Sequence, residues 1–261
     1  MLTYERREEI KKILDEEKTV RVDDLAKKFF VSPSTIRRDL DRIAGDGAIM
    51  RTHGGAVLLD NLASELPITL RERENTDAKQ SIAALAADFI HSGATLILDT
   101  SSTVTSMIPY LNSYDGLTVI TNGIKTAYLL NSYAKITTFC TGGRLREHNM
   151  SLVGAATCRR LEELNADFAF ISCRGMSLEK GVTESSEEET QVKRAMISAA
   201  AKTVLLCDAT KIGQVLMNRV CSFESLYAIV TDRILPKEYA DYFESKGIIV
   251  RYSQNKLEIK R

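Results

Sequence analysis

Two groups of residues in this chain have types and spacing suited to chemistry on phosphates. The first is Ser34, Thr35, Arg37 and Arg38, which lie within five positions of one another. Guanidinium forks match phosphate oxygens and guanine edges, and hydroxyls bond either, so this group points to nucleic acid. The second is spread over four segments: Asp99 with Thr100, Ser101, Ser102 and Thr103; Thr121 with Asn122; Gly142 with Gly143; and Asp208 with Lys211. Hydroxyls and open backbone N–H groups at a helix start suit an anion, adjacent glycines let a backbone approach a ligand, and Lys211 adds a cation. Helix capping alone explains any single Ser/Thr cluster of this kind. Recurrence at several strand ends adds weight to the ligand reading without deciding between the two.

The elements that must position the first group are three short helices. Ser32 is placed to cap the third, Pro33 suits its first turn, and the helix is expected to start at Pro33. Ile36, Leu40 and Ile43 then share one face, whereas Ser34, Arg38 and Asp41 lie opposite, with Thr35 and Arg37 on the flanks. Val22, Leu25, Ala26 and Phe29 stripe the second helix, and Ile10, Ile13 and Leu14 the first. The pattern is a helix-turn-helix whose last helix enters the major groove. Apolar residues around a Gly54–Gly55 turn read as a wing, with Arg51 and His53 placed to touch the sugar-phosphate backbone. The competing reading is a solvated surface helix, and summed charge does not decide between them. Residues 1–56 hold twelve Lys and Arg against eleven Asp and Glu, a net of +1. Placement decides: cap, apolar face and paired arginines agree. Asp41 is unfavourable beside phosphates unless it pairs with Arg38 or accepts from a cytosine amine.

The second group needs a sheet. From residue 78 onward, helix-like stripes alternate with apolar strands at 94–99, 117–120, 134–139, 167–171, 203–207 and 227–231, and 104–111 reads as one helix. Near-continuous apolar strands separated by helices mean a mostly parallel, doubly wound α/β sheet, whose ligands sit at the carboxyl ends of the strands. Residues 59–76, interrupted by Pro67 and charged at 71–75, read as a linker, which gives domains of 1–58 and 77–261. The acidic segment 181–190 has two readings. One is a lid to which Thr183 or Lys193 contributes; the preferred one is a solvated loop with acids before a helix N-terminus.

The 261 residues fit two domains, and a formal charge of zero gives no global attraction to DNA or membrane, so DNA binding needs a local patch. No apolar run reaches membrane-span length and the first residues lack a signal peptide's apolar core, which predicts a cytoplasmic protein. Cys140, Cys158, Cys173, Cys207 and Cys221 lack a C-x-x-C pair and are expected to be reduced, mostly buried small hydrophobes rather than zinc ligands or disulfides. Cys173 is the one placed to line a pocket.

The stretch Val31-Ser-Pro-Ser-Thr-Ile-Arg-Arg-Asp-Leu40, followed by Arg51-Thr-His-Gly-Gly-Ala56, resembles the DeoR family of bacterial transcription regulators. The resemblance runs from about residue 3 to about residue 235. It continues through Leu98–Thr103, Val119–Gly123, Thr141–Gly143 and Asp208–Lys211, which match a sugar-phosphate-sensing domain similar to ribose-phosphate isomerases. It implies double-stranded operator DNA and a phosphorylated sugar as partners, repression of a carbohydrate operon, a homodimer or homotetramer, and neither metal nor cofactor. One departure stands out: the family's glycine two residues after the loop aspartate is Ser101 here, which costs energy if that position needs a positive φ. The alternative is an isomerase-like enzyme with an appended DNA-binding domain. Asp99, Asp208 and Lys211 are the right chemical types for it, yet no base and proton donor stand at a recognisable spacing, so no catalytic residue is assigned.

Overall fold

In the computed structural model, which describes residues 2–45, 49–52, 54–58, 68–146 and 149–253, the chain divides into two compact units, Met1–Glu65 and Leu66–Arg261. The first unit contains α1 (Thr3–Glu17), β1 (Thr19–Arg21), α2 (Val22–Phe29), α3 (Pro33–Gly45), β2 (Ile49–Thr52) and β3 (Gly55–Leu58). The apolar stripes of the three helices close on one another: Ile10, Leu14, Leu25, Ile36, Leu40 and Ile43 are all buried in one cluster. Phe30 turns the chain out of α2 with a φ of 53°. Ser32 Oγ then accepts from the Thr35 amide at 3.2 Å, and α3 begins at Pro33.

The wing differs from its expectation in two respects. Gly55 pairs with Thr52 and so belongs to β3 rather than to the turn, and β1 joins to give the strand order β1-β3-β2. Gly55 is required by that third strand, because a Cβ there would stand 1.7 Å from the Val20 carbonyl oxygen.

The second unit runs through α4 (Ile68–Arg71), α5 (Thr76–Ala87), β4 (Thr95–Leu98), α6 (Ser102–Thr105), α7 (Ile108–Leu111), β5 (Leu117–Thr121), α8 (Ile124–Leu130) and β6 (Ile136–Cys140). It continues through β7 (Arg144–Arg146), β8 (Ser151–Val153), α9 (Ala155–Glu162), β9 (Ala166–Ser172), β10 (Gly175–Ser177), β11 (Gly181–Glu184) and α10 (Glu187–Ala199). The last elements are β12 (Ala200–Leu206), β13 (Asn218–Cys221), β14 (Ala228–Thr231), α11 (Lys237–Ser245) and β15 (Ile249–Tyr252). Seven strands pair in the order β15-β14-β12-β9-β4-β5-β6, all parallel. Leu96 and Leu98 pack into one core with α5, α7 and α8, and Ile97 into the other with α9, α10 and α11. Burial on both faces explains the unbroken apolar runs. The chain winds from β4 outward to β6, then returns to lay β9 on the other side of β4. That reversal is the sheet's switch point, where a crevice opens beyond the strand ends.

Several sequence expectations are corrected. Residues 68–76, assigned to the linker, are helix α4, a turn and the start of α5 within the second unit; residues 59–67 lie outside the described residues. The helix expected over 104–111 is two short ones, since Pro109 supplies no N–H and crowds the preceding turn. Residues 181–184 are the buried strand β11 rather than a solvated loop, in a small sheet β10-β11-β13. Of the cysteines, Cys173 and Cys207 are buried, but Cys140 is exposed on an edge strand. No helix among the described residues is long and apolar enough to cross a membrane.

Candidate functional site

On α3, Ser34, Arg37 and Arg38 are exposed and Thr35 is half-buried. Asp39, which follows them, is buried and accepts from Arg6 Nε at 2.6 Å and Arg7 Nε at 2.9 Å, which ties α1 under the exposed face. Arg51 is placed differently from its expectation. Its Nε donates to Asp41 Oδ1 at 2.7 Å and its Nη1 to the Gly55 carbonyl, so the side chain ties the wing to α3. Asp41 therefore pairs with Arg51 rather than Arg38. His53 lies outside the described residues.

In the second unit a cleft of about 130 Å³ opens at the switch point, beyond the carboxyl ends of β4, β9 and β12. Ser101, Ser102, Thr103, Asp208 and Lys211 line it, as does Cys173. Asp99 lies beneath: its two oxygens accept from the Ser101 and Ser172 amides, each at 2.8 Å, and this bridge closes the crevice floor. Ser101 adopts φ −68° and its Oγ accepts from the Val104 amide at 3.1 Å. The serine at this position therefore costs no backbone strain, contrary to the concern raised by its sequence.

The other predicted residues are not brought into the cleft. Thr100 turns its methyl toward Gly123. Thr121 Oγ1 accepts from the Gly123 amide at 3.0 Å, and Asn122 Nδ2 donates to the Leu152 carbonyl at 3.1 Å. The Gly142 carbonyl accepts from Thr157 Oγ1 at 2.8 Å, and a Cβ on Gly143 would stand 2.1 Å from the same hydroxyl. The ends of β5 and β6 are thus consumed in packing against β8 and α9; of the four strand ends expected to share one mouth, those of β4 and β12 do so, and the end of β9 joins them.

The structure adds residues that sequence reasoning left out, Arg71, Glu74, Asn75, Lys79, Ser172, Arg174 and Glu184, and it places Lys193, named only in the less favoured lid reading, in the same lining. Lys79 stands in phase with Ile82, Ala83 and Ala86 on the buried stripe of α5, and Lys193 with Val192 and Met196 on α10. A lysine in the phase of an apolar stripe, near a strand end, is the signal that could have found both. Lys193 Nζ donates to the Ser172 carbonyl at 2.8 Å and to Glu184 Oε2 at close range, with Asp99 Oδ2 3.8 Å away. Burial pushes its pKa down, but the Glu184 and Asp99 carboxylates push harder, and the net shift is upward. Lys79 differs. Its Nζ donates to the carbonyls of Arg71 and Glu74, and burial lowers its pKa against the pull of Asp208 and Glu74. Among the described residues, the ion pairs at the cleft include Lys193 and Arg174 but neither Lys79 nor Lys211.

The lining thus carries Arg71, Lys79, Arg174, Lys193 and Lys211 against Glu74, Glu184 and Asp208, with Asp99 beneath. Excess positive charge in a partly desolvated crevice with four hydroxyls suits a multiply charged anion. Among the described residues no group of three or more His, Cys, Asp and Glu side chains is arranged to hold a metal ion.

Comparison with known proteins bears on both units. The DeoR-like helix-turn-helix domain matches residues 6–61, and the DeoR C terminal sensor domain matches residues 74–233. The chain is 34% identical to the HTH-type transcriptional regulator YulB of Bacillus subtilis, over 96% of each chain. It is 34% identical to the HTH-type transcriptional repressor GlcR of the same organism, over 84% of each. Among solved structures, ribose 5-phosphate isomerase A from Methanocaldococcus jannaschii aligns with 53% of this chain and 55% of its own, at 19% identity and a TM-score of 0.40.

Proposed function

The chain belongs to the DeoR family of transcription regulators, and from that premise we propose that it represses a carbohydrate-metabolism operon under the control of a phosphorylated sugar bound in the switch-point cleft. The observation that carries the effector reading is the pair Lys79 and Lys211, cationic side chains without an ion-pair partner among the described residues, which line the same cleft as Ser101, Ser102 and Thr103. A phosphoryl group would supply the missing negative charge and accept from those hydroxyls. The sugar would extend toward the adjoining cleft of about 540 Å³, which shares Asn75 and Asp208.

In this reading residues 1–58, within the first unit, bind operator DNA. Ser34, Thr35, Arg37 and Arg38 face the groove, and Arg51 holds the wing against α3. Two reading helices one duplex turn apart would add their binding energies, which favours a homodimer or a pair of dimers. The effector acts only through the difference in its affinity for the operator-competent and incompetent states; a coupling of about 1–3 kcal/mol shifts operator affinity about 5- to 150-fold.

Binding rather than turnover is supported by how the carboxylates are used. Asp99 is taken up by two backbone amides, Glu184 by Lys193, and Asp208 Oδ1 by the Thr210 amide at 3.0 Å and its hydroxyl. None of the three is poised as a base toward a carbon-bound proton. A thermal-shift screen against pentose and hexose phosphates tests the proposal, because a ligand of the folded state raises its melting midpoint. No shift with any phosphorylated sugar overturns the effector reading, and isomerisation of one overturns its restriction to sensing.

A further inference from the structure

The cleft wall formed by Ile68–Asn75 is also the part of the second unit that comes first along the chain. It is held by Lys79 of the cleft and by Asn149 and Lys125 outside it. Lys79 Nζ donates to the carbonyls of Arg71 and, at 2.6 Å, of Glu74. Arg71 Nη2 donates to Asn149 Oδ1 at 2.9 Å, and the Glu72 carboxylate pairs with Lys125. The segment ends at Asn75, which adopts φ 49° and ψ 39° before α5 begins. A left-handed residue other than glycine carries a conformational cost that surrounding contacts must offset.

Lys79 supplies much of that hold, and it does so at a disadvantage. The ammonium is buried, makes no ion pair among the described residues, and spends two of its three donors on neutral carbonyls. The energetic deficit of the buried charge and the third donor would both be satisfied by an anion in the cleft. We infer that Lys79 is a positioning residue through which an anion in the cleft locks the Ile68–Asn75 segment: the anion takes the third N–H and supplies the counter-charge, which favours the state in which Lys79 grips the Arg71 and Glu74 carbonyls. The inference rests on the anion reading of the cleft given above. Its consequence is directional. Residues 59–67 carry the chain from the wing to Ile68, so the order of this segment sets where the covalent path to the DNA-binding unit is anchored.

The test is hydrogen exchange on the full chain with and without inorganic phosphate, alongside a thermal melt in the same buffers. The reporting amides are Glu72, Glu74 and Lys79, which donate to the carbonyls of Ile68, Arg71 and Asn75. Phosphate is expected to raise the melting midpoint and slow these amides about tenfold or more, while Ala240 and Lys246 at α11 exchange as before. A raised midpoint with unchanged exchange at the three amides, or with equal slowing at α11, overturns the role of Lys79 and leaves the anion reading standing. No change in either measurement removes both.

Discussion

Asp39 and Arg6 stand 33 positions apart in the chain and 2.6 Å apart in the structure, with both side chains buried beneath the face that carries Arg37 and Arg38. The aspartate directly follows the two exposed arginines, yet it points inward and fastens the first helix to the third.

Removing one member of a buried pair leaves the other charge uncompensated, at a cost of about 3–5 kcal/mol. Asp39→Ala is therefore expected to unfold the first unit at distinctly lower urea concentration, followed by helical circular dichroism of the full chain. A shift equivalent to less than about 0.5 kcal/mol, typical of neutral surface changes, would show that the pair contributes nothing.

For operator binding, Arg38→Ala is expected to cost about 1–3 kcal/mol and to relax base preference at one position. Arg51 separates two roles. As a tie between wing and α3, it makes Asp41→Asn weaken operator binding too. As a phosphate contact, it makes Asp41→Asn strengthen binding, because a carboxylate near the backbone is removed. Titrating both variants against a selected duplex at several salt concentrations decides the matter, with the salt slope reporting any lost phosphate contact.

Some of this was legible in the residues. The α3 cap, its start at Pro33 and the buried Ile36, Leu40 and Ile43 follow from helical period and cap chemistry, which act over a few residues. The parallel sheet followed from apolar runs. The cleft was half legible: Ser101, Ser102, Thr103, Asp208 and Lys211 follow strands in sequence, but Arg71, Lys79 and Lys193 come from the helices α4, α5 and α10. Periodicity carries no information about which helix passes over which strand end. The polar residues after β5 and β6 misled for the same reason, since Thr157 and Leu152 claim Gly142 and Asn122 only in three dimensions.

Lys211→Met is expected to leave operator affinity unchanged and to weaken binding of the active sugar phosphate about thirtyfold, equivalent to losing one charged hydrogen bond of about 2 kcal/mol. Calorimetry with the strongest ligand of the thermal-shift screen measures it. Wild-type affinity in the variant would remove Lys211 from the site.

The lowered pKa of Lys79 gives the cleft a pH signature. An anion binds the protonated ammonium, so its affinity is full below the folded-state pKa of Lys79 and declines as pH rises through it. Because that pKa is lowered by burial, the decline begins below the ordinary lysine value. A phosphate ester is already doubly charged by about pH 8, since its second pKa is about 6, so a fall in affinity above that pH reports on the protein. Constant affinity up to about pH 10.4, the reference lysine pKa, would show that Lys79 does not meet the ligand.

Ser101 supplies a test in which the sign of the effect is the result. With φ at −68° and its hydroxyl accepting from the Val104 amide, the serine acts as a helix cap in an ordinary backbone region. Ser101→Ala is then expected to cost about 1 kcal/mol of stability, and Ser101→Gly a few tenths, because glycine caps nearly as well. If the turn instead demanded a positive φ, the glycine variant would be the more stable protein, by up to about 1 kcal/mol. Thermal melts of the two variants beside the parent chain measure the order. Parent first, glycine second and alanine last is the order that follows from a turn built around Asp99 and capped by Ser101.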